Sequence, residues 1–568
     1  MRQPGSKPMQ ASIITASSSS SAKEQKARPE SWDSEREDTK SCPGPTRSSR
    51  ALLLVRDLLC WLEMAVFETQ SLVAAAAALL LAYPVCKIVY NLYFHPLAKI
   101  PGPRAWAATR LPYCRALIQG TIVHDFEKLH QIYGPVVRTA PDEVTFAHGD
   151  AYNDIFRVRQ GHKQFLKQPV WWARQKGQPD SILSAISPES HARIRKILAP
   201  GFTTRALRAQ EPLVQKYVNL LIQRMHDKAS EVEGGKRGAE FDIGPWFNFT
   251  TFDIFGELGF GESFDCLENS RYHPWIALLF NSVKAAAFIS AAKFFPLVTF
   301  ILMKCIPQSL KKVQQDHFQQ IMDKVDRRLG WELDRPDFMS HVIKPDGTTK
   351  MPVGEVYATF MVMTTAGSET TATTLSGTMN HLVSQPESLA KLTREVRSAF
   401  QSESDMALDA LHDLPYLNAV LREGLRTCPP VPWMLPRIVP RGGDTVCGTW
   451  LPEGTAVSIQ AYTLNRDPSF FHSATSFIPE RWLPEASTNP KSPFYKDQRN
   501  AVQPFSVGPR ECLGQHLAWA ELRLILARLV WAFDFEAVEG KKLIWEELRT
   551  FLLVEKKPIQ VRIKRRSD

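Results

Sequence analysis

The segment Phe505-Ser-Val-Gly-Pro-Arg-Glu-Cys-Leu-Gly514 limits the fold of this chain more than any other stretch. Two glycines and a proline shape it as a loop. The apolar positions that follow, Leu513, Leu517, Ala520, Leu524, Ala527 and Trp531, recur at spacings of four and three, which predicts a helix with one buried face. Cys512 therefore stands at a helix N-terminus, where backbone N–H groups and the dipole favour a thiolate, and a thiolate binds iron. Arg510, two residues earlier, is placed to meet an anionic cofactor group. Gly508 and Gly514 let the backbone approach a flat macrocycle with no side chain between. A cysteine taken alone is by default a small buried hydrophobe. The pattern of Phe505, Gly508, Arg510 and Gly514 around this one argues for a ligand instead.

The chain has 568 residues, and 44% hydrophobic with 10% aromatic residues supply enough apolar surface for a large core, which excludes a disordered or fibrous protein. Its net charge of +10 suits an anionic membrane, an acidic protein or nucleic acid, and alone selects none. Nine cysteines without a CxxC spacing point away from a disulfide scaffold or a structural zinc site and toward a reducing compartment. GxGxxG, GxxxxGK and HExxH are all missing from the sequence, which argues against a dinucleotide fold, an NTPase and a metalloprotease; no nucleic-acid partner is expected. Long amphipathic patterns run over Val214 to Met225, Leu310 to Leu329, Val353 to Val383 and Leu513 to Phe533, while strand-like runs such as Val136 to Thr139 and Thr455 to Gln460 are short. The expected class is mainly α with small β-sheets (α+β).

Residues 1–63 read as a low-complexity tail, either dispensable or a mis-assigned start, because Ser17 to Ser21 is homopolymeric and a second Met stands at 64. Residues 64–94 are expected as a membrane anchor. The uncharged run Leu72 to Cys86 is by itself shorter than the roughly 30 Å hydrocarbon core, and it reaches that length if Lys87 and Asn91 extend toward the headgroups. Trp61, Tyr83, Tyr90 and Tyr93 are candidate interfacial anchors, and Pro84 predicts a kink. Lys87, Lys99, Arg104 and Arg110 follow the span while Glu63 and Glu68 precede it, which places the body on the cytosolic side and leaves the Asn248-Phe-Thr sequon unglycosylated; Arg50 and Arg56 weaken that bias. Residues 95–103, with Pro101-Gly-Pro103, are a stiff joint leading into one body, 104–568.

Every fixed position of Phe505 to Gly514 matches FxxGxRxCxG, and the chain from about residue 95 to 565 resembles the cytochrome P450 family. Three further motifs carry the resemblance. Ala366-Gly-Ser-Glu-Thr370-Thr matches the oxygen-activating AGxET motif. There Ala366 and Gly367 remove bulk where a diatomic ligand must fit, the Thr370 hydroxyl bonds back to residue 366 and opens a bulge, and Glu369 with Thr370 relays protons. Glu423-Gly-Leu-Arg426 matches ExxR, and with Arg481 of Pro479-Glu-Arg-Trp482 it implies a structural cluster, with Trp482 in place of the usual Phe. His191-Ala-Arg-Ile-Arg195 lines up with WxxxR, with His191 at the aromatic position; His191, Arg195 and Arg437 are implied partners of the haem propionates.

The resemblance implies a single large haem domain in the cytochrome P450 fold, haem b (iron protoporphyrin IX) held by Cys512, and a monooxygenase reaction. A thiolate beneath the iron pushes electron density toward dioxygen and favours O–O cleavage, so one oxygen atom enters an unactivated C–H bond. No flavin or iron–sulfur motif occurs, so electrons from NADPH require a separate NADPH–cytochrome P450 reductase, with cytochrome b5 as a second candidate donor and Arg193, Lys196, Arg205 and Arg208 as candidate docking residues. The expected location is the endoplasmic reticulum membrane, single-pass. Pocket positions carried over from the family, around Trp171 and Trp172, Phe280 to Phe295, Phe360 to Ala366, Val431 to Leu435 and Phe551 to Leu553, are mostly apolar, which suits a terpenoid, polyketide or fatty-acid derivative. The passages YFHPLAKIPGP and TCPPVPWMLPR are similar to those of filamentous-fungal members that tailor secondary metabolites. Two alternatives stand beside this reading: a reductase-independent haem-thiolate isomerase or dehydratase, whose members commonly lack an acid-and-threonine pair, and a non-catalytic haem carrier or sensor.

Overall fold

The computed structural model describes residues 47–172, 174, 177–230, 238–331 and 335–566. The chain divides into two units, up to Leu81 and from Ala82 onward.

The first helix, Arg47–Val89, begins well before the expected anchor because nothing between Arg47 and Pro84 breaks a helix. Residues 47–63, expected in the tail, are thus helical, while residues 1–46 lie outside the described residues. Among the described residues, an apolar window of membrane length runs over Leu58–Ala75, with mean hydropathy 1.3, and overlaps the start of the 64–94 span read from the sequence. Pro84 does not interrupt the α-helix; the register changes later, in the π-helical turn Tyr90–Phe94. Asn91 does not reach toward headgroups. It is buried, and its amide donates to the Ala108 carbonyl at 2.8 Å. Arg110, counted above among the juxtamembrane charges, is likewise enclosed and paired with Glu143 at 2.7 Å and with Asp142. The Pro101–Pro103 joint is docked: Arg138 donates its N–H to the Pro101 carbonyl at 2.8 Å, and a Cβ on Gly102 would stand 2.4 Å from the Arg138 oxygen.

The second unit is built on the helix Val353–Val383, which packs on Gly244–Phe260, Pro415–Thr427 and Gln515–Ala532. Its many threonines make it a poor helix by propensity. Burial on nearly every side overrides that, and Thr364, Thr370 and Thr374 turn their hydroxyls onto carbonyls four residues back at 2.7, 2.7 and 3.1 Å. The helix stays α-helical through Thr370, so the back-bond forms without the expected bulge. The amphipathic patterns fall in the helices Thr204–Ser230, Gln308–Leu329, Val353–Val383 and Gln515–Ala532.

Strands are short. A five-stranded sheet runs in the order Val136–Ala140, Glu143–Phe146, Ala456–Ile459, Met434–Ile438 and Leu166–Lys167. Only its second and third strands pair in parallel. A three-stranded sheet near the C-terminus and two hairpins complete the β-structure among the described residues. Helical packing dominates, as the mainly α expectation requires.

Candidate active site

A cavity of about 350 Å³ lies between the Cys512 loop and the Val353–Val383 helix. The loop is set by its own backbone: Cys512 donates its N–H to the Phe505 carbonyl at 2.8 Å, and Glu511 donates to Gly508 at 3.0 Å. Gly508 has φ +82°, and a Cβ there would stand 2.3 Å from the Phe156 oxygen, so this glycine serves the turn and its close approach to the preceding segment. That differs from the sequence reading, which gave it to the macrocycle. Gly514 fits that part instead, since a Cβ on it would meet nothing and the residue lines the cavity. Phe505 lines the same wall and tilts against Trp519, with ring centres 6.1 Å apart.

Cys512 is enclosed by protein, yet it presents accessible surface, because that surface belongs to the cavity. Burial pushes its thiol up, and the Gly514 N–H and the Arg195 guanidinium pull the other way. The helix begins at Gln515, so Cys512 lies just outside its first turn.

From the Val353–Val383 helix, Ala366, Gly367 and Thr370 form a wall of the same cavity. The Thr370 hydroxyl donates to the Ala366 carbonyl at 2.7 Å, as read from the sequence. Gly367 has a second reason to be glycine, since a Cβ would come within 2.9 Å of the Phe255 ring. Glu369 is not on this wall. Its carboxylate pairs with Lys556 at 2.7 Å and accepts from the Asn248 amide at 2.6 Å, so the direct proton relay expected of it is not what this geometry offers. Asn248, the sequon residue, is fully buried in that contact.

One end of the cavity is cationic. Arg510 donates to the carbonyls of Ala185 and Ile186 at 2.6 and 2.8 Å, and Arg195 to the Glu511 carbonyl at 2.7 Å. His191 is buried there as a neutral imidazole: burial, then Arg510, Lys167, Arg195 and Arg437, hold its pKa down to about 3. A neutral imidazole keeps one N–H to donate. Arg437 is buried beside this group, its pKa lowered to about 9 by burial and by Arg510, with Phe156 5.0 Å away; it is not among the residues lining the cavity. Half-buried Arg195 and Arg510 and buried Arg437, gathered at one end of an otherwise apolar cavity, suit an anion. With a thiol and a flat glycine wall beside them, they fit haem, whose two carboxylates supply that charge.

Glu423, Arg426 and Arg481 come together with no exposure. Arg426 forks onto Glu423 at 2.7 and 2.8 Å, and Arg481 reaches the same carboxylate at 3.0 Å. The sequence reading missed two members. Asp497 pairs with Arg481 and neutralises the second guanidinium, and the Trp482 indole donates to Glu423 at 2.8 Å. Also unforeseen were Lys167, Phe255 and Glu521 on the cavity wall. No local pattern marks any of the three. The pocket positions Met363, Ala366, Val431 and Met434 do line the cavity. Trp171, Phe294 and Phe551 pack instead into a separate aromatic cluster with Tyr113 and Trp433; Phe280 falls outside the described side chains.

Comparison with known proteins agrees with this geometry. The cytochrome P450 family model matches residues 101–563. Cytochrome P450 monooxygenase lcsI of Purpureocillium lilacinum is 42% identical over 86% of this chain and 93% of its own length. Averantin hydroxylase of Dothistroma septosporum is 40% identical over 87% and 91%, and trichothecene C-15 hydroxylase of Fusarium sporotrichioides 40% over 85% and 96%. With its cysteine loop, threonine wall and cationic end drawn around one cavity, this chain belongs to the cytochrome P450 family and is a haem-dependent monooxygenase.

Proposed function

We propose that this monooxygenase hydroxylates a hydrophobic small molecule of secondary metabolism, a terpenoid or polyketide. Its electrons come from NADPH through NADPH–cytochrome P450 reductase, with cytochrome b5 as a second donor. The observation that carries the reading is that Cys512 and Thr370, from the loop and from the Val353–Val383 helix, line one largely apolar cavity. Relatives whose names give averantin and trichothecene C-15 as the sites of hydroxylation support a substrate of comparable kind.

Bound haem supplies the oxidising chemistry, activation of dioxygen for insertion of one atom into a C–H bond. The Cys512 sulfur would hold the iron, and Arg510, Arg195, His191 and Arg437 would hold the carboxylates. With its own proton engaged by Ala366, the Thr370 oxygen turns lone pairs to the cavity and accepts a hydrogen bond from water there. Leu183, Phe255, Met363 and Val431 make the walls apolar, which excludes bulk water and favours a hydrophobic substrate.

Membrane attachment is supported by the apolar window Leu58–Ala75, and the proposed site is the endoplasmic reticulum with the body toward the cytosol. It is supported independently by the helix Pro296–Cys305, on which Leu297, Val298, Phe300 and Ile301 are all more than half exposed. Among the docking candidates, Arg193 pairs with Glu355 and Arg208 with Asp409, which leaves Lys196 and Arg205 as the better prospects for an acidic partner.

The test is a carbon monoxide difference spectrum of reduced membranes carrying the full chain, beside Cys512→Ala, followed by metabolite profiling of a strain lacking the protein. A thiolate-type band lost in the variant is expected, together with product formation that needs NADPH. Turnover without NADPH would instead mark an isomerase or dehydratase, and an unchanged spectrum in the variant would remove the ligand assignment.

A further inference from the structure

Three successive residues of the Val353–Val383 helix are held by one stripe of the Gly244–Phe260 helix. Asn248 donates to the Glu369 carboxylate at 2.6 Å, the Ser368 hydroxyl donates to the Thr251 carbonyl at 3.2 Å, and the Phe255 ring lies against Gly367. Asn248, Thr251 and Phe255 are spaced by three and four residues, the spacing of one helix face. The four residues of the two polar contacts do not line the cavity. Phe255 and Gly367 both do.

The ring is clasped between two glycines. A Cβ on Gly367 would stand 2.9 Å from Cδ2 of Phe255, and a Cβ on Gly259 would stand 2.9 Å from Cε1 on the other edge, both closer than packed carbon atoms come. Phe255 fills the slot they leave and is 3% exposed. Phe260 and Phe338 pack against it with ring centres 6.0 Å away. Phe338 in turn stacks at 4.2 Å on Phe202, another residue of the cavity wall.

This stretch of the cavity helix needs support from outside. Gly367 is followed by four threonines within seven residues, and glycine and threonine are both weak helix formers. Ser368 and Glu369 have polar ties to the neighbouring helix. Gly367 has no side chain to make one, and the three atoms nearest to where its Cβ would stand all belong to Phe255. Next to Gly367 is Ala366, whose carbonyl accepts the Thr370 hydroxyl.

We propose that Phe255 is a positioning residue for the reaction: by bearing on Gly367 it fixes the turn that presents the Ala366 carbonyl to Thr370, and so sets where the Thr370 oxygen stands in the cavity. It acts through Gly367 and touches no reacting atom. The inference rests on the haem-monooxygenase reading of the cavity, and none of the sequence motifs includes Phe255.

The test uses the full chain, with and without haem. Amide hydrogen exchange of peptides spanning Met363 to Thr374 reads the helix, and the infrared stretch of carbon monoxide on reduced haem reads the dipoles around a diatomic ligand. Phe255→Leu is expected to speed that exchange roughly tenfold, the scale of one lost aromatic contact, and to shift the carbon monoxide band. In a Thr370→Val background, which has no hydroxyl to place, Phe255→Leu is expected to leave the band where it was. Gly367→Ala drives a methyl into the ring and shifts the band as well. Combined with Phe255→Leu, which makes room for that methyl, it is expected to lie nearer wild type in both readouts than either single variant. Phe255→Met repeats the comparison if the leucine variant does not accumulate. Exchange and band both unchanged in Phe255→Leu, even with a lower melting temperature, overturn the inference. So do additive effects in the double variant, or an equal band shift without the Thr370 hydroxyl. Wild-type chain that takes up no haem overturns the cofactor reading itself, a result visible before any variant is made.

Discussion

Thr370 and Glu369 are neighbours in the chain, yet they serve different faces of one helix: Thr370 lines the cavity, and Glu369 is held 2.7 Å from Lys556. Successive helical residues point about 100° apart, so a shared motif does not mean a shared site.

The two positions are therefore expected to fail differently. Thr370→Ala keeps the haem spectrum and loses product formation by roughly a hundredfold, the lower end of the effect of a positioned proton-transfer group. Glu369→Gln loses stability first, with a smaller change in product formed per NADPH consumed. Product and NADPH assays, run beside thermal unfolding, separate the two; equal loss of product in both variants would return Glu369 to the cavity chemistry.

Lys556→Met leaves the Glu369 carboxylate buried without its countercharge. The expected cost is about 3 kcal/mol, near the low end for breaking a buried pair because the lysine keeps slight exposure. Adding Glu369→Gln to this variant restores part of the loss. A double-mutant cycle in denaturant reads the coupling, and additive effects would deny that the pair acts as one unit.

Trp482→Phe restores the residue usual in the family, and here it is expected to destabilise. The indole N–H donates to Glu423 at 2.8 Å within a fully buried ionic cluster, so the ring change removes a hydrogen bond to a charge, worth about 1.5–3 kcal/mol. The midpoint of thermal unfolding of the haem-loaded protein measures it. A neutral outcome would mean that the backbone N–H of Ile478, which already donates to Glu423 at 2.8 Å, compensates.

Glu521 is buried on the cavity wall, and its Oε2 finds no hydrogen-bond partner among the described residues. Burial pushes its carboxyl up to about 8, against a small opposing pull from the Thr371 hydroxyl. The folded chain thus keeps a proton that the unfolded chain releases near the ordinary carboxylate value. This contribution to stability is complete at acid pH and is lost as pH rises toward 8, by about 1.4 kcal/mol per pH unit in between. Glu521→Gln should flatten the slope. Denaturant midpoints at several pH values check it, and parallel slopes for wild type and variant would rule it out.

The local chemistry of this protein was written in its order of residues. The Cys512 loop, the threonine-rich helix, the Glu423–Arg426 spacing and the long amphipathic helices are all short-range patterns, and backbone periodicity and turn chemistry are short-range physics. Tertiary structure decided which face of each element met which neighbour. It sent Glu369 to Lys556 and Asn91 into the body, brought Asp497 and Trp482 to the arginine cluster, and laid Lys167 against Arg437. Those partners come from segments far apart along the chain. Register and packing that join such segments leave no mark in either one alone, because their energy exists only once both are in place.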